Sequence, residues 1–192
     1  MAIKTFAVGE VLTASDTNTY LANSGLVYIT SATATSGTSF SINNCFTTTY
    51  DSYVIYFTGA PASAAYGVDI RFRASGTDTT TGYYYGVSVV DIDTNSLSQD
   101  AGNNAGLFAL YAIADTSGRC TSVIQIVNPK LAQYTGVSAQ STDTRGSSGY
   151  GAINMSGQLK NNTQYDGITF LFGAGGGTIG FMQARIYGMR QA

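Results

Sequence analysis

From Leu26 to the end, the chain alternates between short apolar runs and clusters of turn-forming residues. Leu26-Val27-Tyr28-Ile29 is the first run, and Phe40 and Ile42 alternate with serines. Tyr53 to Phe57 is continuous, whereas Val68, Ile70 and Phe72 alternate with Asp69, Arg71 and Arg73. Tyr83-Tyr84-Tyr85, Val87-Ser88-Val89, Leu107 to Tyr111, Val123 to Val127, Ile168 to Phe172 and Ile179 to Met189 follow. Runs of this length, bounded by Ser, Thr, Gly, Asn and Asp, predict strands rather than helices. Roughly eight or more strands with no helical crossover between them predict an antiparallel β-sandwich, jelly-roll-like, in which two sheets share one core. Pro61 and Pro129 flank these runs instead of interrupting them.

The first 25 residues have a different character. Val11, Leu12, Tyr20 and Leu21 are apolar around a polar centre, and Thr13 precedes Asp16 at the spacing of a helix start. Gly25 stands where a helix commonly stops. The pattern predicts one short helix near residues 14–23. A helix of about ten residues is not stable alone in water, so it needs a surface to dock on. The chain thus divides into an arm, residues 1–27, and a β-sandwich body, residues 28–192.

Composition narrows the classes of function. Charged residues make up 10% of the chain, against roughly 25% in an average domain. The polar surface must therefore come from Ser, Thr, Asn, Gln and Gly, which suits packing against neighbours or contact with uncharged partners such as glycans. A plain β-rich protein accounts for the same bias, because Thr, Tyr and Val favour strands. Net charge is −2, and Arg71 with Arg73 form the one close basic pair. Nucleic-acid binding needs a concentrated positive footprint, and 14 Tyr and 9 Phe without a cationic groove do not replace it. No apolar stretch is long enough to span a membrane as a helix. The opening Met1 to Phe6 lacks an apolar run of secretory length, which predicts synthesis in the cytoplasm. Cys45 and Cys120 are isolated from one another in sequence and read as two separate buried thiols in preference to a disulfide.

The chain has no histidine, which removes Ser-His-Asp and Cys-His catalysis and His-ligated metals. Asp91 and Asp93 would share one face of a strand and are the one carboxylate pair for a glycan-cleaving enzyme, a remote alternative to solvated loop acids. Asp91-Ile92-Asp93-Thr94-Asn95 also opens like a calcium loop, but Ser96 and Gly102 occupy the positions that need Gly and Glu. Asp91, Asp93 and Asp100 remain weak calcium candidates; no metal or other cofactor is predicted. Gly173 to Gly177 precedes a strand pattern instead of a helix, so it reads as a hairpin loop joining the last two strands and not as a phosphate cradle. Tyr83, Tyr84 and Tyr85 put aromatic rings on both faces of a strand and form a candidate binding surface, with filling of the core as the plainer account.

The segment Phe6-Ala7-Val8-Gly9-Glu10-Val11-Leu12-Thr13-Ala14-Ser15-Asp16-Thr17-Asn18-Thr19-Tyr20-Leu21 resembles the opening F-x-x-G-x-V-L-T-A-x-D-x-N-x-Y-L of tailed-bacteriophage minor virion structural proteins. Phe46-Thr47-Thr48-Thr49-Tyr50-Asp51-Ser52-Tyr53 is similar to their F-T-S-x-Y-D-N-Y element. Gly177-Thr178-Ile179 with Arg185-Ile186-Tyr187-Gly188-Met189-Arg190 is similar to their closing G-T-I-R-V-Y-G-Y-R, with Gly180 to Ala184 as an insertion. The resemblance implies a non-enzymatic virion component, commonly a homotrimer, of tail-fibre or capsid-surface type, partnered by other virion proteins. Phe6, Val11, Leu12, Tyr20 and Leu21 would be the assembly contacts of the arm. The leading expectation is a tail fibre or tip that binds a host surface glycan; a capsid decoration, or cement, protein is the alternative.

Overall fold

The computed structural model describes residues 7–16, 25–143 and 151–190 of the chain. The body is an antiparallel β-sandwich of two sheets. Its strands are β1 (Leu26–Ala34), β2 (Ser39–Ile42), β3 (Tyr50–Pro61), β4 (Tyr66–Ala74), β5 (Thr77–Asp78), β6 (Tyr83–Asp91) and β7 (Ser96–Ala105). They continue with β8 (Phe108–Ala114), β9 (Cys120–Val127), β10 (Thr135–Thr142), β11 (Gly151–Leu159), β12 (Gly167–Phe172) and β13 (Ile179–Arg190). The larger sheet has the order β1-β13-β3-β9-β10-β11-β6-β7. The smaller contains β2-β12-β4-β5, with β8 also paired to β4. A helix, α1 (Ala14–Asp16), begins where Thr13 and Asp16 predicted it; its expected continuation lies outside the described residues. Strand β1 starts at Leu26, so the body begins slightly before the expected boundary at residue 28.

Alternation along each strand builds the core. Ile55 and Phe57 on β3, Ile124 and Ile126 on β9, and Ile153 and Met155 on β11 point inward and are buried. They meet Ile70 and Phe72 from β4, Phe108 and Leu110 from β8, and Ile168 and Phe170 from β12. Phe57 stacks on Phe170 at 4.7 Å, and Tyr83 meets Phe108 edge-on at 4.8 Å. Buried rings of this size contribute about 2–3 kcal/mol each through the water they exclude. Gly157 leaves room for a close approach: a Cβ there would lie 2.8 Å from the Phe108 ring and 2.5 Å from the Tyr84 carbonyl oxygen. The element Phe46 to Tyr53 is a pinned corner, in which the Tyr53 hydroxyl accepts the Thr47 N–H at 2.7 Å and donates to the Thr47 carbonyl at 2.9 Å.

Two expectations are corrected here. The glycine-rich segment after β12 is not a hairpin: β12 lies between β2 and β4 in the smaller sheet and β13 between β1 and β3 in the larger, so the loop crosses from sheet to sheet. Gly180 to Ala184 form part of β13, which runs through them with an irregularity between Ile179 and Phe181. Asp69, placed by alternation on the polar face of β4, is 8% exposed. Its Oδ2 accepts the Ala174 N–H at 2.5 Å and so ties down the crossing loop, whose Ala174 has a φ of 57°. On the outer side of the same sheet, Arg73 donates to Asp78, Ser41 and Asn43, covering Thr169 beneath them.

Burial pushes the Asp69 carboxyl up from 3.8 to about 6, against the smaller opposing pull of the Ala174 N–H and Arg71. Its folded value therefore lies above its unfolded one. The protonated group's contribution is complete below about pH 4 and is lost as pH rises through about 6. Asp69→Asn keeps an acceptor for the loop and removes the buried charge. Chemical denaturation should show the variant gaining on the native chain by up to about 3 kcal/mol as pH rises through that window. A difference independent of pH would contradict the assignment.

Candidate functional site

Because successive side chains on a strand point to opposite faces, the larger sheet has an outer face as regular as its inner one. The register sets out its rows. One row runs Tyr56, Val123, Gln140, Asn154, Ser88, Gln99 across β3, β9, β10, β11, β6 and β7. The next runs Tyr28, Tyr187, Val54, Gln125, Ser138, Ser156, Gly86, Ala101. A third joins Val127, Gly136, Gln158 and Tyr84.

The face falls into two halves. Over β1, β13 and β3 it is aromatic: Tyr187 meets Tyr28 at 5.7 Å and Tyr56 at 5.8 Å, both edge-on, with exposed Leu26 and Met189 beside them. From β9 to β7 it is a shallow trough of amides, hydroxyls and small residues, edged by exposed Val123 and Val127 on β9 and by Val90 and Leu97 on β6 and β7. Three adjoining hollows there share Ser156, two of them also Asn154, and the most enclosed measures about 220 Å³. Ser138 Oγ lies 3.5 Å from Gln125 Oε1. The side chains of Gln140, Asn154, Gln99 and Gln158 make no hydrogen bond to another described residue. Asp100, at the margin of the trough, accepts from the Tyr111 hydroxyl and from the Ala101 N–H at 2.8 Å.

The tyrosine triplet separates. Tyr83 is wholly buried and does not belong to a binding surface; its hydroxyl accepts the Phe72 N–H at 2.9 Å and donates to the Thr79 carbonyl at 3.0 Å. Burial raises its phenol pKa well above the usual value. Tyr85 turns inward toward Phe108 at 5.9 Å and fills the space that Gly102 leaves. Tyr84 faces the trough, with the Lys160 ammonium 4.2 Å from its ring centroid. Alternation showed that Tyr83 and Tyr85 share a face; which face required the partner strands.

The aspartates are similarly dispersed. Asp91 and Asp93 do not share a strand face, because β6 ends at Asp91 and residues 92–95 form the turn into β7. Asp91 Oδ1 accepts the N–H groups of Asp93 and Thr94 at 3.0 and 2.9 Å, which is turn-closing chemistry. Asp100 pairs with Val87, four residues along β6 from Asp91, or ~13 Å of strand. Among the described residues no three His, Cys, Asp or Glu side chains gather as a metal site. Cys45 and Cys120 are separate buried thiols, each pushed up to about 12 by desolvation.

The described part of the arm is held by local bonds. Thr13 Oγ1 donates to Asp16 Oδ2 at 2.6 Å and accepts the Asp16 N–H at 3.1 Å, while the Thr13 N–H donates to Asp16 Oδ2 at 3.0 Å. Its apolar side chains are bare: Val8 is 109% exposed, Val11 78% and Leu12 48%. Phe6, Tyr20 and Leu21 lie outside the described residues.

Comparison with known proteins gives no relative to argue from: no protein-family model, curated protein or solved structure matches this chain.

If Tyr83 belongs to the core, Tyr83→Phe leaves the buried Phe72 N–H without its acceptor and should lower stability by about 1–3 kcal/mol. Tyr84→Phe, on the trough side, should stay within about 0.5 kcal/mol of the native chain. Equal effects in denaturant titrations would contradict the separation of the two rings.

Proposed function

We propose that this chain is a non-enzymatic structural protein of a bacteriophage virion, in which the N-terminal arm docks on a larger assembly and the jelly-roll-like body is displayed. One observation carries the reading: the arm has its own hydrogen-bonded shape around Thr13 and Asp16, yet presents Val8, Val11 and Leu12 to solvent. Apolar side chains held in a shaped segment and left uncovered are what a docking arm needs. Among the described residues, by contrast, the body closes its core without a residue of the arm. Connections from β2 to β3, β3 to β4, β8 to β9, β11 to β12 and β12 to β13 all pass from one sheet to the other, which supports a jelly-roll-like path.

In this reading the displayed body is a tail fibre or tip component that contacts the host surface. The aromatic half of the larger sheet, Tyr28, Tyr187 and Tyr56 with Leu26 and Met189, is the contact for sister subunits in a homotrimer. The same patch adjoins β1, where the arm enters the body, and this favours one second reading, a capsid decoration protein that lays both arm and patch on the shell.

Deletion of residues 1–25 separates arm from body. The truncated chain should fold with the cooperative melting of the full chain and fail to join particles made without the native copy. Incorporation of the truncated chain at the native level would overturn the anchoring role.

A further inference from the structure

We propose that the trough across β9, β10, β11, β6 and β7 is a binding site for an uncharged oligosaccharide, laid across the strands. The inference rests on the body being the displayed part of the protein, and it assigns to that part a ligand class and residues. Three features of the trough select the ligand. Its chemistry is that of amides and hydroxyls, which both donate and accept, as sugar hydroxyls do. Gln140, Asn154, Ser88 and Gln99 stand in one cross-strand row, and none of the three amides is engaged by another described residue. Ser156 stands beside them in the next row, and Gly86 and Ala101 leave that row shallow-floored.

The second feature is charge. The Gln140 row and the Ser156 row carry neither a carboxylate nor a cation between β9 and β7. A phosphate backbone or an acidic glycan would find no counter-charge within those two rows. The aromatic anchors of this face lie over β1, β13 and β3, whereas the exposed apolar side chains beside the trough are single aliphatic ones, Val123 and Val127 on β9 and Val90 with Leu97 on β6 and β7. The third feature is spacing. Neighbouring strands lie ~4.8 Å apart, so each successive side chain of the row advances by about the length of one pyranose ring. Tyr84, at the next row, has the Lys160 ammonium over its ring, 4.2 Å from the centroid, and bounds the trough on that side.

The test uses the full chain against immobilised neutral gluco-, galacto- and manno-oligosaccharides of tetrasaccharide length or more, alongside sulfated and uronic-acid oligosaccharides. The expected result is binding of at least one neutral glycan, unchanged by added salt. Gln140→Ala with Asn154→Ala should weaken it about tenfold, through loss of two neutral hydrogen-bonding groups. Ser156→Trp should abolish it by filling the trough, with the melting temperature of each variant confirming its fold. Failure of every neutral glycan, binding confined to charged glycans, or native affinity in both variants would overturn the site. Ser156→Cys checks that the face is open, because Cys45 and Cys120 are buried: rapid modification by a thiol reagent agrees with the site, and protection by a second copy contradicts it. Glycan binding by a chain that particles do not carry would retain the site and remove the virion reading; a particle-borne chain that binds no glycan would do the reverse.

Discussion

Phe57 lying on Phe170 and Tyr83 standing against Phe108 join the two sheets, and the period of two along each strand transmits that contact to the other side of the larger sheet. Once Ile124, Ile126, Ile153 and Met155 are committed to the core, Gln125, Asn154 and Ser156 have no choice but to face out. A slip of one residue in any pair would exchange the two sets and bury amides without partners. The ordered outer rows are therefore a consequence of the aromatic core, and the trough is as rigid as the sheet that carries it.

The sequence made some of this legible and hid the rest for physical reasons. Strands with bulky inward residues, such as β3, β4, β9 and β12, announce themselves by their apolar runs. Strands β7, β10 and β11 were missed. Ser96 to Ala105 has the composition of a loop, and β10 offers only Val137 and Ala139 as buried apolar positions among Ser, Gln and Gly. These three strands supply most of the trough, so the polarity that makes the site also concealed it. A weak alternation, Ile153 and Met155 against Ala152, Asn154 and Ser156, was the available signal.

Other residues were placed by contacts that sequence does not reveal. Asp69 alternates with the apolar residues of β4, but the crossing loop folds over it and supplies the Ala174 N–H. Tyr83 looked like part of an exposed aromatic triplet, but it holds the backbone of Phe72 from within. The Thr13 and Asp16 pair, by contrast, is a local device of three residues' reach, and it forms as the spacing suggested.

The described part of the arm carries uncovered apolar side chains, and the body joins a closed core to an outer face that is aromatic over β1, β13 and β3 and mainly polar from β9 to β7. The most direct test of the account is immunogold labelling of intact phage particles with an antibody raised against the body. The account predicts label on particles, at the tail for a fibre or tip and over the head for a decoration protein. Particles that carry no label, and no copy of the chain, would contradict it.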